Sequence, residues 1–406
     1  MKIGIVTEYF YPTLGGITEN IYHFSRELLR NGHEFRIITG KDKLANYPPE
    51  CEGRIISIGK SVPVFYNGSC ARVTMGFGLT RKMKEVLAAE QFDLVHVHSP
   101  IFPTLPIIAI MQSTVPVVGT FHTVLGGHDD LYYKVYKERC TRLLDGMTGR
   151  IAVSECCARE LEDYFDRSFD VIPNGVDVDW WVDGTRKVEK FDDGKFNVLF
   201  LGRPDTRNGL STLIHAFANV HRRFPETRLI IVGDGPLRFY FERLVPADVA
   251  NAIVFEGAAN ENRPDYLATA DAFVFAPDIA SFGITILEGM SAGKAMIASD
   301  IEAFRALVTD GESALLIPPG DEAAMAHSIE RLITDESFRE DLGATAALRV
   351  SRYDWKRVAE MQIEYYRNIL SGRQISDVGV RGRKSEDPTS AIRPATSEIR
   401  SHVRGT

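Results

Sequence analysis

Between Ala272 and Asp300 the chain reads AFVFAPDIASFGITILEGMSAGKAMIASD. Ser281-Phe282-Gly283-Ile284 is a turn leading into a helical pattern. A helix opening there aims backbone N–H groups without an intrahelical acceptor outward, which suits an anion or a sugar hydroxyl. Glu288 follows about one turn on, where a carboxylate accepts hydrogen bonds from a diol such as a ribose. An ordinary strand–helix–strand unit with a surface glutamate has the same local pattern. Upstream, Gly202-Arg203 closes the apolar run Asn197–Leu201. An arginine at a strand's carboxyl end offers a planar, permanently charged fork to a diphosphate, the alternative being a surface salt bridge. His122 ends another apolar run, as a packing histidine or as a polar contact for a reacting sugar. His96 reads as structural, whereas His98, at the end of its run, is expected to line a cleft. Gly15-Gly16 lets a phosphate or sugar approach the backbone closely, although any tight strand-to-helix turn uses glycine in this way.

These residues need elements to hold them. Short apolar runs alternate with amphipathic helical segments along the chain, which predicts parallel sheets covered on both faces. The first series of strands is expected at Lys2–Thr7, Phe35–Thr39, Arg54–Ile58, Leu94–His98, Val115–Thr120 and Arg150–Val153. The second is expected at Asn197–Leu201, Arg228–Val232, Ala252–Glu256, Ala272–Phe275, Ala295–Ala298 and Ala314–Ile317. The charged, glycine-containing stretch 183–195 separates them as a linker. The expected organisation is α/β, with two doubly wound domains, 1–182 and 196–350, facing a cleft. Ligands of such sheets bind beyond the carboxyl ends of the strands. Residues 351–370 form a C-terminal helix, and residues 371–406 are too poor in large apolar side chains to fold alone.

At 406 residues and 44% hydrophobic content the chain has the size and composition of a two-domain globular protein. A net charge of −8 argues against a nucleic-acid partner. The five cysteines form no C-x-x-C pair, so neither a zinc site nor a disulfide framework is expected, in keeping with a reducing cytoplasm. No Asp-x-Asp cluster stands at a strand end, and no tightly bound metal is expected. The opening MKIGIVTEYFYP reads as a strand and loop, not a signal peptide, and no run is apolar and long enough to span a bilayer. Against the acidic background, Arg72–Glu85 reads as one basic amphipathic stretch. It is either the outer face of a packed helix or a surface that docks on an anionic membrane through Arg81, Lys82 and Lys84.

Taken together, Gly15-Gly16, His122, Ile172-Pro173-Asn174-Gly175-Val176-Asp177, Gly202-Arg203, Gly233-Asp234-Gly235-Pro236 and Phe282-Gly283-Ile284 through Glu288 resemble family 4 glycosyltransferases of the two-domain GT-B type. The resemblance runs from Met1 to about Leu370. Within it the first half is most similar to the phosphatidylinositol mannosyltransferases, through Pro63–Arg72, Arg81–Lys84, His96-Val97-His98 and Thr120-Phe121-His122-Thr123. This resemblance implies a retaining transfer of a hexose, with mannose favoured, from a nucleotide sugar, GDP-mannose favoured. The acceptor is a lipid or glycan, phosphatidylinositol-like lipid favoured, and the protein is peripheral at the inner membrane face. It implies catalytic roles for His122, Arg203 and Glu288. It implies donor contacts at Gly16, Arg203, Arg207, Asn208, Ser281, Phe282, Gly283, Ile284 and Glu288, with Arg207 supplying positive charge. Acceptor contacts fall at Tyr9, Gly15, Gly16, Thr18, Tyr66, Asn67, Ser69 and Arg72, and the C-terminal helix crosses back to the first domain. Two positions depart from the pattern. Asn208 stands where the family has a lysine, and Ala280 replaces the first of two glutamates of which Glu288 is the second. Other readings are a degenerate nucleotide-sugar-binding protein and a GT-B epimerase acting on UDP-N-acetylglucosamine.

Overall fold

The computed structural model describes residues 1–13, 15–42, 46–66, 69–123, 131–259 and 262–372. Asn67 and the tail from residue 373 lie outside them, as do the side chains of Tyr66 and Ser69. Among the described residues fourteen strands fall into two sheets. The first holds β1 (Lys2–Val6), β2 (Glu34–Lys41), β3 (Ile55–Tyr66), β4 (Ser69–Met75), β5 (Leu94–His98), β6 (Val117–Phe121), β7 (Gly149–Ala152) and β8 (Asp170–Val171). Their order is β4-β3-β2-β1-β5-β6-β7-β8, parallel except for the antiparallel β3–β4 pair. The second holds β9 (Phe196–Leu201), β10 (Thr227–Val232), β11 (Ile253–Gly257), β12 (Ala272–Phe275), β13 (Ala295–Ser299) and β14 (Leu315–Ile317). It runs β11-β10-β9-β12-β13-β14, parallel throughout.

The strand sequences explain this packing. Both faces of each sheet are covered, so the strands are apolar almost continuously and consecutive residues enter different cores. Ile3 and Ile5 of β1 pack with Phe24 and Leu28, while Val6 packs with Val95 and Val97. In β9, Val198 and Phe200 face one core and Leu199 and Leu201 the other. In each sheet the strand order reverses once, between β1 and β5 and between β9 and β12. These switch points open crevices at the strands' carboxyl ends. Tyr9 and Gly16 follow β1, His98 ends β5, Arg203 follows β9, and the 276–283 loop follows β12.

Two sequence expectations are corrected here. The strand expected at Arg54–Ile58 continues to Tyr66 and turns back as β4. The stretch 72–85, expected as one amphipathic segment, is therefore divided, with Arg72 to Met75 in β4 and the helix beginning at Leu79. Gly76-Phe77-Gly78 breaks the pattern between them, with Gly78 in the left-handed region.

The chain passes between the domains twice. The crossings lie side by side, Val176 N–H donating to Tyr353 O at 2.9 Å and Trp355 N–H to Val176 O at 3.1 Å. The last described helix, Trp355–Leu370, is capped by Asp354, which accepts from Lys356 N–H. It buries Trp355, Val358, Ile363 and Tyr366 against Ile3, Ile5 and Phe24, so it completes the core of the first sheet. Among the described residues no helix is long and apolar enough to cross a membrane.

Candidate functional site

The site grows from two loops of the second sheet. After β9, Gly202-Arg203 leads into a short 3-10 turn, Thr206–Asn208, capped by Asp205, whose carboxylate accepts from Arg207 N–H at 3.2 Å. The same buried carboxylate lies 3.5 Å from Arg203 Nη2 and 3.7 Å from Arg207 Nε, so one acid restrains two half-exposed guanidinium groups. Asn208 Nδ2 donates to Arg203 O at 2.8 Å and fixes the turn from within. The neighbouring strand end requires glycine. Gly233 has φ +147°, and a Cβ there would lie 1.9 Å from Gly202 O.

After β12 the loop ends at Gly283, with φ +124°, and the Ile284–Ser291 helix begins. A Cβ on Gly283 would meet Phe304 Cε1 at 2.7 Å, so only glycine turns the chain this tightly against that ring. Ile286 and Leu287 N–H donate back to Gly283 O at 3.0 and 3.2 Å. The earlier N–H groups of this first turn have no intrahelical acceptor. Phe282 is buried, its ring edge-on to Tyr353 at 6.0 Å. Glu288, on the buried side of the helix, has Oε1 3.2 Å from Arg263 Nη1. Burial pushes its carboxyl up to about 7; Arg263 opposes the shift and Glu19 adds to it.

The first domain meets these loops directly. Ser281 Oγ donates to His122 O at 2.6 Å, and Ser154 Oγ donates to Ser281 O at 2.5 Å. A Cβ on Gly16 would lie 3.2 Å from Ile284 Cδ1. Burial raises the phenol of Tyr9, and the charge of Arg203 pulls it back, so the β1 loop and the β9 loop share one electrostatic environment. Tyr9, Gly16, His122, Arg203, Ser281, Gly283, Ile284 and Glu288 thus gather where the two switch points face each other.

Other expected residues have different surroundings. Thr18 is buried and its Oγ1 donates to Thr13 O at 2.7 Å, closing the loop ahead of the helix. Arg72 pairs with Asp42 at 2.5 Å and donates through Nε to Ser61 Oγ at 2.8 Å. His98 does not line a cleft. It is buried, with Nδ1 2.8 Å from His122 Nε2, and its ring lies 5.1 Å from that of His122. His96 is structural: its Nε2 is 2.7 Å from Thr120 Oγ1 and its Nδ1 2.7 Å from Tyr366 OH. Burial holds all three imidazoles well below the usual histidine range, so they are neutral at pH 7.

Sequence reasoning missed three groups. Glu8 is a buried carboxylate that accepts from Thr74 N–H at 2.5 Å and from the N–H groups of Thr104 and Leu105, joining β4 to the start of the Leu105–Gln112 helix. Arg263 and Glu19 connect the domains behind Glu288. Arg263 follows β11, so the criterion that singled out Arg203, an arginine beyond a strand's carboxyl end, could have found it. Among the described residues no three His, Cys, Asp or Glu side chains gather as a metal site. Arg81, Lys82 and Lys84 all stand exposed on the Leu79–Glu90 helix, beside Phe77, which is 98% exposed.

Known proteins share this architecture. Residues 14–180 match the family model described as Glycosyltransferase Family 4, and residues 183–349 match Glycosyl transferases group 1. A phosphatidyl-myo-inositol mannosyltransferase of Mycolicibacterium smegmatis is 33% identical over 393 residues, covering 96% of this chain and 99% of that protein. Sucrose-phosphate synthase from Thermosynechococcus elongatus superposes with a TM-score of 0.71 at 18% identity, over 91% of this chain and 99% of that one. The Anabaena protein HepE in complex with UDP-glucose superposes at 0.73 and 18% identity, over 91% and 100%.

Proposed function

The chain belongs to the family 4, group 1 glycosyltransferases and has their two-domain GT-B fold; from that premise we propose that it moves mannose from GDP-mannose to a phosphatidylinositol-like lipid, with retention at the anomeric carbon. Residues 196–350 form the donor unit and residues 1–182 the acceptor unit, joined by 183–195. The observation that carries the reading is that Arg203, the Gly283 turn and Glu288 lie at one switch point, and that the same turn meets the first domain through Ser281 at His122 O and Ile284 beside Gly16. The named relatives support the sugar and the lipid.

In this reading the donor ribose hydrogen-bonds to Glu288, and its diphosphate meets Arg203, Arg207 and the N–H groups from Phe282 to Ile284. The bond between the anomeric carbon and the diphosphate oxygen breaks, and a bond to the acceptor oxygen forms on the same face. The acceptor proton passes to the departing phosphate oxygen. Catalysis is stabilisation of the leaving group plus positioning. His122 is neutral and half-buried, so it acts as a hydrogen-bonding group toward the sugar and not as a charged acid. Arg207 supplies positive charge where Asn208 replaces lysine. Tyr9, Gly15 and Gly16 border the acceptor, which reaches the site from a membrane. The exposed Phe77 and the basic face of the Leu79–Glu90 helix dock there on anionic lipid.

Replacing Arg203 tests this reading. The Arg203→Ala protein keeps its circular dichroism and melting temperature and loses transfer by about 100-fold or more, the scale for removing one group that stabilises developing charge. Turnover like that of the wild type refutes the assignment. Ala280 and Asn208 favour a second reading, a nucleotide-sugar-binding protein that has lost catalysis. Its signature is calorimetric binding of GDP-mannose with no product formed on phosphatidylinositol vesicles.

A further inference from the structure

Behind Glu288 lies a charged arrangement that the transfer chemistry does not use. Arg263 starts the Arg263–Thr269 helix of the second domain. Its Nη1 is 3.2 Å from Glu288 Oε1, and its Nη2 is 3.9 Å from Oε2 of Glu19, on the Gly16–Arg30 helix of the first domain. One guanidinium therefore addresses two carboxylates on opposite sides of the domain boundary. Its central carbon lies 5.4 Å from the ring of Trp180 and 5.3 Å from that of Trp181, both just ahead of the 183–195 linker. Stacking of this kind restricts a long side chain to one geometry. Glu19 is held in turn by Tyr11 OH at 3.2 Å and lies 3.5 Å from His23 Nε2.

The narrow space here measures about 20 Å³, with Glu19, His23, Asp177, Arg263 and Glu288 among its walls. That is room for one water and not for a ribose. Arg263 thus forms one wall of the space beside Glu288.

We propose that Arg263 is a positioning residue: it orients the Glu288 carboxylate toward the donor ribose and sustains its charge, and through Glu19 it makes that charge depend on contact with the first domain. The inference rests on the reading of Glu288 as the ribose-binding group. A carboxylate this buried loses hydration and keeps its charge only through a partner. Arg263 provides that partner and Glu19 opposes it, while His23 and Asp177 stand beyond Glu19 in the same space. Because Glu288 titrates at about 7, small changes in these facing charges alter how much carboxylate is present at neutral pH. When the domains separate, Glu19 withdraws and no longer competes with Glu288 for Arg263. Donor grip and domain closure are thereby linked.

The test is the pH dependence of nucleotide-sugar affinity, measured by calorimetry from pH 5.5 to 9.5 with GDP-mannose and UDP-glucose. Nucleotide sugars are used because the terminal phosphate of free GDP titrates in the same range, near about 6. Wild-type affinity rises through about pH 7 and levels off. Arg263→Met moves the inflection alkaline by at least about one unit, with affinity about fivefold or more weaker at pH 7 and recovered at high pH. Glu19→Gln moves it the opposite way, toward acid. Arg263→Lys keeps it near the wild-type position. A purely structural role weakens binding in both neutral variants at every pH and leaves the inflection in place, which overturns the proposal. If Arg263→Met does not fold, Arg263→Gln takes its place, with the same alkaline shift expected and an unmoved inflection overturning the proposal. Glu288→Gln separates the two levels of inference. A flat profile in that variant, with unmoved inflections in the others, overturns only the role of Arg263. A wild-type profile in it, or no binding of either nucleotide sugar by the wild type, overturns the ribose reading and the role of Arg263 with it.

Discussion

Removing the charge of Glu288 should stabilise the free protein, increasingly as pH rises from about 4.5 to 7. The carboxyl has a pKa of about 7 in the fold against 4.5 in the unfolded chain, chiefly because burial strips its hydration. The sign follows directly: the folded state holds the proton more tightly, so folding stability falls as pH rises from 4.5 and the loss is complete above 7. The full penalty is about 3 kcal/mol, since each pKa unit is worth about 1.4 kcal/mol. Glu288→Gln carries no such penalty. Its stability relative to the wild type should rise by about 2–3 kcal/mol between pH 5 and pH 8.5. For a domain of this size that is roughly 5–10 °C in melting temperature. Comparing two pH values cancels what the substitution does regardless of pH; the charge pairing with Arg263 is already contained in the pKa of about 7. Differential scanning calorimetry without nucleotide is the assay. An advantage of equal size at both pH values, or one that shrinks as pH rises, refutes the account of a carboxylate kept charged against its surroundings.

Two further outcomes follow from the same geometry. Gly283→Ala places a Cβ 2.7 Å from Phe304 Cε1 at a φ of +124°, so it should destabilise the second domain by about 1–3 kcal/mol and abolish nucleotide-sugar binding, read by thermal melts with and without GDP-mannose. Reversing charge at Arg81, Lys82 and Lys84 together should leave the melting temperature unchanged, because these side chains are exposed, and should sharply reduce sedimentation with phosphatidylserine vesicles. The wild-type interaction should itself weaken as salt rises from 50 to 500 mM, as screening over about 10 Å or less requires.

Local pattern disclosed the parts of the fold that local forces decide. The strands Leu94–His98 and Ala272–Phe275 have the bounds expected from their apolar runs, because both faces of each are buried and the runs end in polar loop residues. The β3–β4 hairpin was not legible. Its pairing with β2 ends at Lys60, so Pro63 lies where only β4 pairs, and a proline there costs no second ladder bond. Read as a sequence, the same proline argues against a strand. Around the site, the glycines and Arg203 were visible because turn geometry and strand ends leave local marks. Arg263 meets Glu288 from 25 residues away within its own domain and Glu19 from 244 across the domain boundary, pairings set by tertiary packing and by no periodicity. His98 misled for the opposite reason. Its strand-end position matches a cleft residue, yet its ring turns inward to His122.

The docking of the Trp355–Leu370 helix on the first sheet has a consequence for biosynthesis. Domains of a nascent chain ordinarily fold in order as they leave the ribosome. Here the earliest strands wait for the Trp355–Leu370 helix, more than 300 residues downstream, and until then Ile3, Ile5, Phe24 and Leu28 lack part of their cover. The later half, with a sheet of its own, can mature sooner. A ribosome stalled before Trp355 therefore carries a sticky, unfinished front end, an obvious client for chaperones.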